Sequence, residues 1–153
     1  MKTTALTLGA LAFAMGLGLS PAATQADDEG AIKHRQAVMK AVGGNMGAMV
    51  AILKGQVGFM EDMPLHARAM NDLAQISARI FPQGSDFGET DAKEAIWEKP
   101  DAFKQRVQAF QDAAAALTKV AGSGDKGAIG GAIGNLGKSC KGCHDDFRKE
   151  HRH

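Results

Sequence analysis

The chain has 153 residues, with 18 Lys and Arg against 17 Asp and Glu, so its formal charge is +1. This length suits one domain with one core, and the near-neutral charge excludes the basic face that nucleic-acid binding requires. Tyrosine is absent, tryptophan occurs once and alanine is abundant, which favours an all-α helix bundle.

The N-terminus has the layout of a secretory signal peptide. Lys2 supplies a positive charge, and residues 5–19 form an uncharged, mostly apolar run. The small residues Thr24 and Ala26 predict cleavage after Ala26, which leaves residues 27–153 as one exported, periplasmic domain. The alternative is a membrane anchor, but this run is shorter than the ~20 residues that span a bilayer, and no later segment is expected to span one.

Two helices are predicted in the first half of this domain. Apolar residues recur at alternating spacings of three and four over about 31–54, and Gly55 suits the end of that helix. A second helix is predicted over about 62–81, with Pro64 in its first turn. The side chains predicted to face the core from this second helix are Leu65, Ala69, Leu73, Ile76 and Ile80.

A long connection and two further helices follow. Residues 83–99 are rich in glycine and polar residues and are expected to cover something or to serve the site, with a short helical turn around 92–97. The third helix is predicted over about 100–121 and the fourth over about 124–149. Short connections favour antiparallel neighbours, so the sequence predicts an up-down-up-down four-helix bundle.

The motif C-x-x-C-H at residues 140–144 is the attachment signature of a c-type haem. A structural disulfide, a thioredoxin-like dithiol and half of a zinc site are the alternatives. Nothing here reads as the strand that would precede a thioredoxin motif, and zinc takes four ligands whereas Cys140 and Cys143 are the only cysteines. The motif therefore predicts one covalent haem c on these two thiols, with His144 as axial iron ligand.

Three further residues are candidates for haem contacts. Arg35 interrupts the apolar stripe of the first helix, so it either extends out at the bundle end or, as we favour, neutralises a buried propionate. Met39 lies one turn further on and is either a core residue or a distal residue, as sixth ligand or apolar lid. Arg148 lies one turn beyond His144, where it either approaches a propionate or the imidazole or is a solvated charge of the basic tail.

Together these features resemble the cytochrome c′ family, the class II c-type cytochromes. The similar segments are Arg35-Gln36, Leu53-Lys54-Gly55, Ile96-Trp97 and residues 140–148, which read CKGCHDDFR. The resemblance covers essentially all of residues 27–153. It implies that Cys140 and Cys143 bind haem c covalently, that His144 is the proximal ligand and that Met39 is distal. It also implies a set of residues at the haem periphery: Arg35, Gln36, Thr90, Asp91 and Arg148.

The resemblance further implies a function. The protein is expected to transfer single electrons through haem iron and to bind NO or CO at an open distal position. The alternative is a low-spin His–Met cytochrome that acts only as an electron carrier. An enzyme such as a peroxidase is disfavoured because Met39 cannot act as a distal acid or base. Small redox proteins are the expected partners, and a homodimer through the first two helices is expected.

Overall fold

The structure, a computed structural model, describes the backbone of residues 21–150 and the side chains of residues 28–150. The helices of this part of the chain are α1 (Pro21–Leu53), α2 (Met63–Ile76), the short α3 (Ala95–Glu98), α4 (Pro100–Val120) and α5 (Lys126–Phe147). α1 packs against α2 and α5, and α4 packs against the same two helices. The four long helices form the predicted antiparallel all-α bundle, so the predicted fold is confirmed.

α1 is longer than predicted at its N-terminal end. The described part of the helix begins at Pro21 rather than near residue 31. Proline is tolerated in a first helical turn, and the alanines that follow it have the highest helix propensity. Residues 1–20, which hold most of the predicted signal peptide, lie outside the described residues. The boundary after Ala26 therefore stays a prediction.

α1 ends at glycine, as predicted. Gly55 has a φ of 69°, in the left-handed region that glycine enters without strain. The Gly55 amide donates to the Ile52 carbonyl and the Gln56 amide to the Ala51 carbonyl, both at 3.0 Å. This pair of bonds is the Schellman arrangement, which satisfies carbonyls that the helix end would otherwise leave without a partner.

One helix of the described chain is long and apolar enough to cross a membrane by length and composition alone. It is Asp28–Leu53, with a mean hydropathy of 1.2 over 18 residues. This corrects the expectation that no segment after the signal peptide could pass such a test. Buried residues of this helix include Val42, Met49 and Ile52, which belong to the core of the bundle, and 22% of the tested stretch is buried.

The predicted core face of α2 was wrong because the buried residues are shifted along the sequence from the predicted ones. The side chains that α2 buries are Met63, Ala67, Met70 and Ala74. Leu65, predicted to be buried, is 56% exposed. The prediction followed the leucines and isoleucines, whereas the close approach of α1 and α4 selects small alanines and adaptable methionines.

α2 also ends earlier than predicted, at Ile76 rather than near residue 81. Beyond it the amides of Ser77 and Arg79 bond three residues back, to Ala74 and Ile76, so the chain tightens into turns. Ile80 is nevertheless buried, as predicted.

α4 and α5 agree with their predictions. The residues that α4 buries recur at alternating spacings of four and three, as on one face of a helix: Phe103, Val107, Phe110, Ala114 and Leu117. α5 begins at Lys126 because the carboxylate of Asp125 caps it by accepting from the amides of Gly127 and Ala128 at 2.8 and 3.1 Å. The connection before α4 contains the predicted turn of helix, as α3. The core is densest where α1, α2, α4 and α5 meet, and a cavity lies toward the C-terminal end of α5.

Candidate haem site

A cavity of about 660 Å³ is enclosed by α1, α4, the C-terminal half of α5 and residues 81–92. Its volume lies in the roughly 300–1,000 Å³ range of sites that bury most of a ligand. The apolar side chains of its wall include Val42, Met46, Phe81, Ile96, Val107 and Phe110. A large, flat, apolar group with a few charged substituents fits such a wall.

The three residues of the C-x-x-C-H motif line this cavity together. Cys140, Cys143 and His144 occupy positions i, i+3 and i+4 of α5, which places them on one helical face. Both thiols are free, so the pair does not form a disulfide. Within residues 28–150 no group of three or more His, Cys, Asp or Glu could hold a metal ion, as a zinc site would require.

Burial shifts the pKa values of these three groups. Burial, with the neighbouring Cys140 as a smaller cause, raises the pKa of Cys143 to about 11, and burial also raises the pKa of Cys140. Both thiols are therefore protonated and unreactive toward casual oxidants at neutral pH. Burial and then the nearby Arg148 lower the pKa of His144. Its imidazole is thus neutral, the form that ligates a metal.

Arg35 is buried in the opposite wall, and only 4% of it is exposed. Its Nη1 donates to Ser85 Oγ at 2.8 Å and to the Ile80 carbonyl at 3.3 Å. Its Nη2 donates to the Ser85 carbonyl at 2.8 Å and to Thr90 Oγ1 at 2.7 Å. The guanidinium carbon also lies 4.9 Å from the centroid of the Phe81 ring. Arg35 therefore does not extend out to solvent.

Every hydrogen-bond acceptor of Arg35 is neutral. No carboxylate forms an ion pair with it in the part of the chain with described side chains. Burial lowers the pKa of Arg35, which reflects the free energy needed to keep this charge away from water. A buried cation is stable when a counter-charge is supplied, and haem carries two propionates. The residues present thus fit haem c: two thiols and an imidazole on one wall, and an unmatched cation on the other.

The other predicted residues are placed around the same cavity. Met39 and Gln36 line it from α1, and Thr90 and Asp91 line it from the connection before α3. Gln36 Nε2 donates to the Glu89 carbonyl at 2.9 Å, which joins α1 to that connection. The structure therefore brings together all of the residues that the sequence singled out, while their roles toward haem stay predictions.

Arg148 at the end of α5 also lines the cavity. Its Nη2 lies 3.4 Å from Asp91 Oδ2, and both side chains are almost half exposed, so this pair contributes about 0–1 kcal/mol. An antiparallel bridge joins Arg148 to Ala92, and the Lys149 amide donates to the Asp91 carbonyl at 2.7 Å. Backbone hydrogen bonds therefore help to hold residues 91–93 against the end of α5 that carries the C-x-x-C-H motif.

Two residues of the site were missed from the sequence. Ser85 is completely buried and holds Arg35. Proline and glycine at 82 and 84 predict the turn that carries it, but no sequence signal pairs that turn with an arginine 50 residues away. Arg106 on α4 lines the cavity and donates to Asp146 Oδ2 at 2.8 Å. A Cβ at Gly142 would lie 3.2 Å from the Arg106 guanidinium, so glycine inside the C-x-x-C motif makes room for it.

An aromatic cluster of Phe81, Phe103 and Phe147 lies in the wall of the cavity. Phe103 packs edge-to-face on Phe81, with ring centroids 5.0 Å apart, and on Phe147, with centroids 5.4 Å apart. These rings join α4, the connection after α2 and the last turn of α5. The cluster therefore fixes the part of α5 that carries His144.

Comparison with known proteins gives a consistent result. The profile described as cytochrome c′ matches residues 30–148. A cytochrome c′ from Pararhodospirillum photometricum is 37% identical over 125 residues, which is 81% of this chain and 100% of that protein. The solved cytochrome c prime from Shewanella frigidimarina is 40% identical, has a TM-score of 0.76, and aligns over 80% of this chain and 97% of its own. A nitric oxide complex of a cytochrome c prime variant from Alcaligenes xylosoxidans is 33% identical, with a TM-score of 0.75, over 81% of this chain and 97% of its own.

Proposed function

The chain belongs to the cytochrome c′ family, whose members carry one covalent haem c, and we propose that it transfers single electrons and binds NO or CO in the periplasm. The observation that carries the proposal is the cavity that has the C-x-x-C-H motif on one wall and the buried, unmatched Arg35 on the other. Bound haem c supplies a one-electron ferric–ferrous couple and an iron that takes axial ligands.

The residues of this chain have distinct tasks in that function. Cys140 and Cys143 would hold the porphyrin through thioether bonds, and the neutral imidazole of His144 would ligate the iron. Arg35 would balance the charge of the propionates. The apolar wall excludes water, which makes each of these electrostatic contacts stronger than it would be in solution.

Gas binding depends on the distal side of the cavity, where Met39 is the predicted residue. Val42 and Met46, one and two turns further along α1, supply apolar lining next to it, while Arg35, Gln36 and Lys40 supply the polar part of the α1 lining. An apolar wall accepts an uncharged diatomic and disfavours ions and hydrogen-bonding molecules, which would lose their hydration without compensation. The nitric oxide complex of the similar Alcaligenes xylosoxidans protein supports this choice of ligand.

The second candidate is a low-spin cytochrome in which Met39 sulfur is the sixth ligand and which only carries electrons. The position of Met39 in the cavity wall, half-buried on α1, favours this candidate specifically. A thioether that ligates iron in both redox states lowers the rearrangement that accompanies electron transfer. Such a ligand would also compete with an incoming gas.

Optical and electron-paramagnetic spectra of the purified protein, with NO titrated into the ferrous form, separate the two candidates. A high-spin ferric spectrum with stoichiometric NO uptake is the expected result. A low-spin His–Met spectrum with no NO uptake would contradict the gas-binding role and leave electron transfer alone.

We also propose that the protein is not an enzyme and works with small redox proteins. Met39, the predicted distal residue, is neither an acid nor a base, whereas peroxidase chemistry needs such a group. A homodimer through α1 and α2 is proposed as well. The exposed apolar side chains Val57, Phe59 and Leu65, at and before the start of α2, support such a contact.

A further inference from the structure

We propose that Ser85 is a positioning residue that sets the haem reduction potential by holding the Arg35 guanidinium in place. The inference rests on the proposed function, since it concerns the haem that the cavity is expected to bind. Ser85 does not itself line the cavity. Any effect of this residue on the haem therefore passes through Arg35.

Ser85 accepts hydrogen bonds from both terminal nitrogens of Arg35. Its Oγ accepts from Nη1 and its carbonyl accepts from Nη2, each at 2.8 Å. The hydroxyl hydrogen is directed elsewhere, to the Pro82 carbonyl at 2.8 Å, so an oxygen lone pair faces the guanidinium. Two parallel bonds to one residue fix the plane of a guanidinium, which a single bond does not.

Ser85 is in turn held by a rigid turn. Its amide donates to the Pro82 carbonyl at 3.3 Å, and Gly84 has a φ of 85°, as the third residue of a type II turn requires. Trp97 Nε1 donates to the same Pro82 carbonyl at 3.0 Å. A Cβ at Gly84 would lie 3.2 Å from an Asp28 carboxylate oxygen, so the turn also packs closely on α1. The position of Ser85 is therefore set before any ligand binds.

The consequence for the haem is electrostatic. A positive charge held in a dry wall stabilises the reduced state, because reduction adds an electron to the haem. Without the Ser85 hydroxyl, Nη1 keeps only its 3.3 Å bond to the Ile80 carbonyl, so the guanidinium is free to tilt and water that enters beside it screens its charge. Reduction then becomes less favourable. Besides the two cysteines, the other charged or titratable groups that line the cavity are Lys40, Asp91, Arg106, His144 and Arg148. The hydrogen bonds of Ser85 are to Arg35 and Pro82, so the substitution removes no bond from any of these groups.

The test is the reduction potential of the haem-loaded protein, measured by spectroelectrochemistry. Ser85→Ala removes the hydroxyl and with it one of the two hydrogen bonds that Ser85 accepts from the Arg35 guanidinium. We expect it to lower the equilibrium constant for reduction by at least about threefold, or about 28 mV at 59 mV per tenfold. Arg35→Gln should shift the potential in the same direction and further. Ser85→Thr, which keeps the hydroxyl, should restore the wild-type potential.

Thr118→Val is the control. The Thr118 hydroxyl also bonds backbone carbonyls inside the bundle, those of Ala67 and Ala114, but it lies outside the cavity wall. This variant should lose stability without a change of potential. Should Ser85→Ala fail to fold, Ser85→Cys replaces the same hydroxyl by a weak hydrogen-bond acceptor at nearly unchanged side-chain volume and should also lower the potential.

A potential in Ser85→Ala equal to that of wild type and of Thr118→Val would overturn the inference, even if the variant unfolds more easily. If Ser85→Cys is the variant used, an unchanged potential overturns it equally. Wild-type protein without covalent haem would instead refute the proposed function, so the two failures are distinguishable.

Discussion

A comparison of substitutions at Phe103 and Phe110 tests whether the aromatic cluster holds the end of α5 in place. Phe103 and Phe110 lie on the same helix, both line the cavity, and they are 9% and 8% exposed. Phe103 packs edge-to-face on Phe81 and on Phe147. No such ring pair involves Phe110 in the described part of the chain. Replacing each phenylalanine by leucine removes similar area, so the difference between the two variants isolates the ring pairs.

The magnitude follows from the geometry. An edge-to-face pair stabilises by about 0.5–1.5 kcal/mol beyond its burial, and Phe103 makes two such pairs. Phe103→Leu should therefore lower the free energy of unfolding by about 1–3 kcal/mol more than Phe110→Leu does. For a domain of this size, at about 4 °C per kcal/mol, the Tm values of the two variants should differ by about 4–12 °C.

Thermal and urea unfolding of the haem-loaded proteins, followed by circular dichroism, measure this difference. The urea m-values should match those of wild type, which shows that the surface exposed on unfolding is unchanged. Equal destabilisation of the two variants would refute the reasoning. It would mean that burial alone, rather than ring geometry, holds the last turn of α5 in place.

Four further predictions concern the site and the surface. Met39→Ala should leave the spin state of the ferric protein unchanged if the iron is five-coordinate, and an optical shift from low to high spin would instead identify Met39 sulfur as ligand. In haem-free protein the pKa of Cys143 of about 11 should make iodoacetamide alkylation slow at neutral pH, and a rate equal to that of unfolded protein would contradict the burial. Because this folded-state pKa lies above the ordinary ~8.5, the thiol should also make haem-free protein lose stability as pH rises from about 8.5 toward 11, which unfolding curves across that range would show. Leu65→Glu, at a 56% exposed position, should convert a dimer to a monomer in analytical ultracentrifugation without loss of helix content, and an unchanged sedimentation coefficient would exclude α2 from the interface.

The bundle and the position of the C-x-x-C-H residues on one helical face could be predicted because their signals are local. The heptad-like spacing of apolar residues identifies α1 and α4, and C-x-x-C-H is a continuous motif. Gly55 marks the end of α1 because glycine enters the left-handed region of φ without strain. The predicted core face of α2 was wrong because the prediction followed leucine, which is more hydrophobic than alanine, whereas packing between helices depends on the shape of the side chains.

The hydrogen-bond partners of Arg35 could not be predicted, although the burial of Arg35 could be suspected. A charged residue in an apolar stripe indicates either an exposed helix end or an unusual partner. Which of these holds depends on Ser85 and Thr90, which lie in an irregular connection that has no periodicity. The contact between Arg106 and Gly142 is of the same kind, since it depends on how closely α4 and α5 approach.

The central claim is that Cys140 and Cys143 hold one haem covalently, with His144 on the iron. Intact-mass spectrometry of protein exported from a host that can attach haem c tests it most directly. We predict the polypeptide mass plus one haem, retained after denaturation and lost when both cysteines are replaced by alanine. A mass equal to that of the bare polypeptide would contradict the account.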